Sequence, residues 1–180
     1  MAIHVARYDP AWPSLFCTVE RDLHEALAGV PIVSIEHVGS TSVPGLAAKP
    51  ILDIDIIVKR DDVPAAIDAL GRIGYTHRGD LGVTGREAFH APDVDPARHV
   101  YVCIEGTLHL RNHLAVRQVL RENTALRDRY AAVKLELAND PAMDIDAYLA
   151  GKSAVLQEIL ALSDLTADEK RQILELNGGA

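Results

Sequence analysis

Residues 37–58 read HVGSTSVPGLAAKPILDIDIIV, and the segment ILDIDIIV (51–58) decides the fold. It is rich in Ile and Val, the composition of a strand buried on both faces of a sheet. Two carboxylates, Asp53 and Asp55, interrupt it. Side chains alternate along a strand, so the aspartates share one face with Ile51 and Ile57, while Leu52, Ile54 and Ile56 take the other. Two readings follow. Either the strand lies at an edge with its carboxylates in water, or they are buried and need a counter-charge, because unpaired carboxylates in an apolar setting are very costly. A divalent cation meets the second requirement. Carboxylates two apart on a strand reach one ion or bridge two, and Mg²⁺ takes a few carboxylates plus substrate phosphates.

The segment before this strand supplies a complement. IVSIEHV (32–38) reads as a strand running into Gly39, and GSTSVPGLAAKP (39–50) as a loop with one helical turn. A backbone without Cβ at Gly39 lets a phosphate approach closely. Ser40, Thr41 and Ser42 offer hydroxyls, and Lys49 adds a positive charge just before the aspartate strand. Gly-Ser turns are common. The signal lies in the order: strand, Gly-Ser, spacer, then Asp-Ile-Asp inside an apolar strand.

The whole chain is consistent with one domain over 1–180, a mixed-sheet part over roughly 1–106 and a helical part over 107–180. At 180 residues it can bury a substantial core. A formal net charge of −8 weighs against a nucleic-acid partner. The charge is uneven, however. Residues 109–134 carry Arg111, Arg117, Arg121, Arg127, Arg129 and Lys134 against Glu122 and Asp128, which suits a small polyanion. No apolar run is long enough to span a membrane, and the N-terminus lacks a basic start followed by an apolar block. Cys17 and Cys103 suggest neither a disulfide framework nor a zinc site. The expected location is therefore cytoplasmic.

Periodicity places the remaining elements. Residues 3–7 read as a short strand. WPSLFCTVERDLHEAL (12–27) is a helix with Leu15, Val19, Leu23 and Leu27 on one stripe and Pro13 near its start. DVPAAIDALGRIG (62–74) is a helix closed by Gly74. AFHA (88–91) and HVYVCIE (99–105) are strands joined by the turn-rich PDVDPAR. Four helical segments follow from residue 108 onward, the last opening on a capping box between Thr166 and Glu169.

The pattern apolar-Gly-Ser, spacer, Asp-apolar-Asp-apolar resembles the signature of the nucleotidyltransferase superfamily with the DNA polymerase beta-like fold. IEHVGSTSVPGLAAKPILDIDIIV resembles more narrowly the GrpB family, together with YDPAWPSLF, ALGRIGY, HVYV, VRQVLR, YAAVKLELA and YLAGKSAVL in that order, over about residues 6–160. The resemblance implies an α/β fold with a mixed sheet, flanking helices and a helical C-terminal segment. It implies that Gly39 and Ser40 bind nucleotide phosphates and that Asp53 and Asp55 hold Mg²⁺. The implied activity is transfer from a nucleoside triphosphate to an acceptor; the alternative is a nucleotide- or phosphometabolite-binding module without turnover. Active superfamily members often carry a third carboxylate on a later strand. The matching strand here has His99 and Tyr101, with Glu105 only at its end. His99 is thus a candidate ligand or base, or a strand histidine without chemistry.

Two helices repeat the pair Y-x-x-x-K, Tyr130 with Lys134 and Tyr148 with Lys152, and Arg117 with Arg121 forms a further i, i+4 pair. Such pairs share a helix face. They form either a cationic wall for phosphates or a solvated face with snorkelling stems. In the first reading Lys134 and Lys152 bind the anionic end of the substrate near Asp53. Trp12 reads as a core anchor.

Overall fold

The computed structural model describes residues 4–140 and 143–178. Its sheet comprises β1 (Ser34–Val38), β2 (Leu52–Val58), β3 (Thr76–His77), β4 (Arg86–His90) and β5 (Arg98–Ile104). The spatial order is β1-β2-β5-β4-β3. β2 runs antiparallel to β1 and parallel to β5, and β4 is antiparallel to both β5 and β3. The aspartate strand therefore has neighbours on both sides, which excludes the edge reading. β3, absent from the periodicity reading, is two exposed residues and carries no burial signal.

The helices are α1 (Trp12–Ala26), α2 (Val63–Arg72), α3 (Leu108–Glu122), α4 (Thr124–Ala138), α5 (Ile145–Ala161) and α6 (Ala167–Gly178). Their ends follow from local chemistry. Gly74, beyond α2, takes φ +91°, a region open to glycine. The Asn123 side chain accepts from the Leu126 N–H at the start of α4, and Asp144 accepts from Ala147 at the start of α5. Ahead of α6, the Glu169 N–H donates to Thr166 Oγ1 while Thr166 N–H donates to Glu169 Oε2, closing the expected box.

The chain forms two compact units. One contains Ala11–Val38 and Ile51–Leu110, hence the whole sheet with α1 and α2. Its core holds Trp12, Val19, Leu23 and Leu27 from α1 and its end, Ala66, Ala69 and Leu70 from α2, and Leu52, Ile54, Ile56, Val58, Val100 and Val102 from the sheet. Leu15, expected on the buried stripe, is exposed. The other unit contains Met1–Pro10, Gly39–Pro50 and Arg111–Ala180. The loop after β1 thus belongs to the helical unit, where Val43 and Leu46 join Val119, Leu120, Leu126, Tyr130, Val155 and Ile159 in one apolar cluster. Where residues 3–7 read as a strand, the structure has a single antiparallel bridge between Ala6 and Ala48; residue 3 lies outside the described residues. No helix of the described residues is long and apolar enough to cross a membrane.

Candidate functional site

In the sheet unit the register collects the polar residues on one face. Asp53 stands opposite Val38 on β1 and His99 on β5, and Asp55 opposite Glu36 and Tyr101. Cross-strand partners share a face. Asp53 and Asp55 therefore lie on the same side of β2, as the alternation requires. Asp55 is fully buried, and the Asp53 side chain is 30% exposed. His99 Nδ1 lies 2.9 Å from Asp53 Oδ1. His99 Nδ1 thus faces a carboxylate oxygen, and an N–H at that position donates to it.

Three neighbours complete this face: Tyr101, Arg86 and Cys103. The Tyr101 ring lies between His99, 6.3 Å away, and His109, at the same centroid distance. The Arg86 guanidinium covers Tyr101 at 4.6 Å. Burial, and then the charge of Asp53, push the Tyr101 hydroxyl up, so it stays protonated at neutral pH. Cys103 hydrogen-bonds to Asp55, and burial pushes its thiol well up, which keeps it an uncharged donor. Tyr101 and Cys103 follow His99 at the spacing of one strand face, so alternation could have found them. Arg86 has no such signal, because its place depends on the register of β4 against β5.

The two carboxylates on one face are oxygen donors of the kind a hard cation such as Mg²⁺ takes together with substrate phosphates, whereas the His99 imidazole is a borderline ligand. Among the described residues no three His, Cys, Asp or Glu side chains form a ready metal cluster.

In the helical unit the loop from Gly39 is built as a tight turn. Gly39 adopts φ +68°, ψ −172°, a region open essentially to glycine alone. Ser40–Ser42 form one 3₁₀ turn. The Ser42 hydroxyl donates to the Gly39 carbonyl at 2.6 Å, which commits it within the turn, and Thr41 and Ser42 are both buried. Two arginines brace the loop: Arg121 donates to the Ser42 carbonyl from Nε and Nη2, and Arg127 Nη1 to that of Pro44.

Lys134 reaches this loop. Its ammonium donates to Ser40 Oγ at 2.8 Å and sits 4.5 Å from the Tyr130 ring centroid, and the residue is only 2% exposed. It is no solvated surface lysine. Lys152 and Lys49 both approach the Tyr148 ring, at 4.5 and 5.2 Å. Burial pushes the hydroxyls of Tyr130 and Tyr148 up, so both stay protonated. Arg117 lines, with Gly39, Ser40 and Tyr130, a cavity of about 170 Å³. Among the expected phosphate-binding residues, then, Ser40 and Lys134 are brought into direct contact, Lys49 and Lys152 share a ring, and Arg117 borders the loop from α3.

The chain is 37% identical to the UPF0157 protein BH1888 of Halalkalibacterium halodurans over 167 residues, 92% of this chain and 84% of that protein. Its structure resembles the conserved protein GrpB from Enterococcus faecalis, with a TM-score of 0.75 and 34% identity over 88% of this chain and 98% of that one. It also resembles the Cid1 poly(U) polymerase bound to MgATP, at TM-score 0.52 and 13% identity, covering 91% of this chain and 54% of that one. The second likeness is one of fold: a nucleotidyltransferase-like mixed sheet with helices. The family model described as GrpB protein matches residues 2–162, and the chain belongs to the GrpB family.

Proposed function

We propose that this protein is a Mg²⁺-dependent nucleotidyltransferase that transfers a nucleotidyl group from a nucleoside triphosphate to an acceptor. The observation that carries the reading is the Asp53–Asp55 pair on one face of a central strand, with His99 hydrogen-bonded to Asp53. Asp53 and Asp55 would hold the ion, which supplies neutralisation of charge on the phosphoryl group under attack. His99, oriented through Nδ1, has Nε2 to accept the acceptor's proton. In the helical unit, the Gly39 backbone, Ser40 and Lys134 supply donors for phosphates, with Lys49, Lys152 and Arg117 as further cations. In the reaction the acceptor oxygen bonds to the α-phosphorus, pyrophosphate leaves and the proton passes to the base.

A binding module without turnover is the second reading. It is favoured by β5, which offers His99 and Tyr101 beside the aspartates where a third carboxylate would complete a two-metal site.

Thermal-shift measurements with nucleoside triphosphates, with Mg²⁺ and then with EDTA, test the proposal. Stabilisation that grows with ligand as RT ln(1 + [L]/Kd) and needs Mg²⁺ is expected. No shift with any nucleotide would sink it. Pyrophosphate release in a deproteinised metabolite extract separates the enzyme from the binder.

A further inference from the structure

The face of the sheet that carries Asp53 and Asp55 extends beyond β5. Arg86 stands opposite Cys103 and Ala88 opposite Tyr101, so β4 turns these side chains to the same side. Phe89 stands opposite Val100. Alternation then returns His90 to the face of Ala88, and the antiparallel register sets it beside His99, one strand or about 4.8 Å away. Arg78, just past β3, reaches the same place, where its Nη1 meets Nε2 of His90. Two guanidinium groups and an imidazole therefore flank the side of His99 turned away from Asp53. Elsewhere in the chain arginines meet carboxylates, as Arg98 meets Asp93, Arg111 meets Glu169 and Arg129 meets Glu158. Among the described residues neither Arg78 nor Arg86 has such a partner. Arg86 Nε is buried and, among the described residues, meets no hydrogen-bond acceptor. Its Nη2 reaches the Asp80 carbonyl at 3.4 Å, while the Asp80 carboxylate accepts from the Gly82 N–H. Cations gathered together without a protein carboxylate, one of them with a buried donor unsatisfied, call for an anion that arrives with a ligand.

We infer that the acceptor is a small hydroxy compound bearing a phosphate or carboxylate group, and that Arg78 and Arg86 bind this group while the hydroxyl lies at His99. The inference deepens the nucleotidyltransferase reading and rests on it. Planar guanidinium forks match the paired oxygens of a carboxylate or phosphate. The strip adjoins the proposed base rather than the two aspartates, so an anion bound there belongs to the acceptor and keeps clear of the carboxylates that hold the ion. Two arginines suit one anionic group. A nucleic-acid strand calls for a longer basic track, and the chain carries a net charge of −8.

Calorimetry of the full chain tests this in two titrations. The first measures non-hydrolysable analogues of the nucleoside triphosphates in Mg²⁺. The second, with the best analogue in excess to fill the triphosphate site, measures glycerol 3-phosphate, glycerate and ribose 5-phosphate, the uncharged glycerol and ribose, and a short RNA with a free 3′-hydroxyl. The anionic compounds should bind about tenfold or more tightly than their neutral counterparts. Arg78→Gln/Arg86→Gln should remove that advantage and leave the first titration within about twofold of the wild type. Because Arg86 also covers Tyr101, Arg78→Gln alone, at an exposed position, serves as a second variant and should weaken the anionic compounds about threefold or more. Both variants should keep a cooperative thermal transition. Anionic compounds that bind no more tightly than neutral ones, or a preference that survives in both variants, would overturn the inference and leave the nucleotide reading standing. RNA that binds more tightly than the small anions, and loses that binding in the variants, would make the partner a nucleic acid and overturn the inference as well. Absence of binding in the first titration would overturn the nucleotide reading and with it the acceptor role.

Discussion

At the scale of single residues, the aspartates are the informative case. Alternation along β2 is enough to put them on one face, and burial of Asp55 to zero exposure makes the question of compensation acute. Part of the answer is local: Cys103 donates to Asp55, and His99 to Asp53. Replacing both carboxylates by Asn keeps their shape and removes two like charges. We expect Asp53→Asn/Asp55→Asn to be at least as stable as the wild type without metal, while losing the Mg²⁺-dependent shift with nucleotides. Circular dichroism and thermal-shift measurements check both halves, and marked destabilisation of the metal-free variant would make the aspartates structural acceptors.

Arg98 poses a different residue-scale case. Its side chain is 6% exposed, donates from Nη1 and Nη2 to the two oxygens of Asp93, and reaches the Tyr75 hydroxyl and the Pro96 carbonyl. The Arg98 hydrogen bonds hold the Asp93 carboxyl below its usual 3.8. A carboxylate whose folded-state pKa is depressed contributes stability above its unfolded pKa and loses it as pH falls through the folded one. The wild type should therefore lose stability between about pH 5 and pH 3 more steeply than Arg98→Met. At neutral pH, Arg98→Met should cost about 1–3 kcal/mol, since it removes the part-buried hydrogen bonds to the Tyr75 hydroxyl and the Pro96 carbonyl along with the exposed pair to Asp93. Urea titrations across that pH range provide the measurement.

At the scale of elements, the repeated Tyr-Lys pairs divide. Helical spacing places each lysine beside its tyrosine, and both pairs do stack. Spacing cannot show that Lys134 is buried and bonded to Ser40, because that contact joins residues far apart in the chain. Lys134→Met keeps most of the apolar stem, so α4 should persist, while nucleotide affinity falls by about tenfold or more for one lost charge-assisted contact. Unchanged affinity in calorimetry would remove Lys134 from binding. The crossing of α4 and α5 has its own test. A Cβ at Gly151 would meet Leu137 Cδ2 at 2.7 Å and Cδ1 at 2.8 Å, the flexible end of a side chain. Gly151→Ala should stay within about 1 kcal/mol of the wild type, since helix propensity gains roughly what the shift of Leu137 costs. Gly151→Ile should destabilise by about 1–3 kcal/mol through overpacking.

At the scale of the whole molecule, neither compact unit is one continuous segment. The chain leaves the sheet unit after Val38 and re-enters it at Ile51, and the loop between contributes Val43 and Leu46 to the helical core. A chain cut after residue 106 would retain those side chains without their partners Leu120, Tyr130 and Ile159. We expect that fragment to lack the cooperative thermal transition of the full chain, and a sharp two-state melt by circular dichroism would contradict this. By itself, the sequence determined what depends on near neighbours: the strand 51–58 and its two faces, the run of helices, the Gly74 end of α2, the Thr166–Glu169 box, the Gly-Ser turn, and the family. These follow from side-chain period and backbone chemistry within a few residues. Tertiary structure alone decided that β2 is internal to the sheet, that Arg86 covers Tyr101, that Lys134 is buried against Ser40, and that Arg78 meets His90 on the face of the aspartates. Each depends on register or packing between distant segments, where one local pattern is compatible with several partners until the chain has folded.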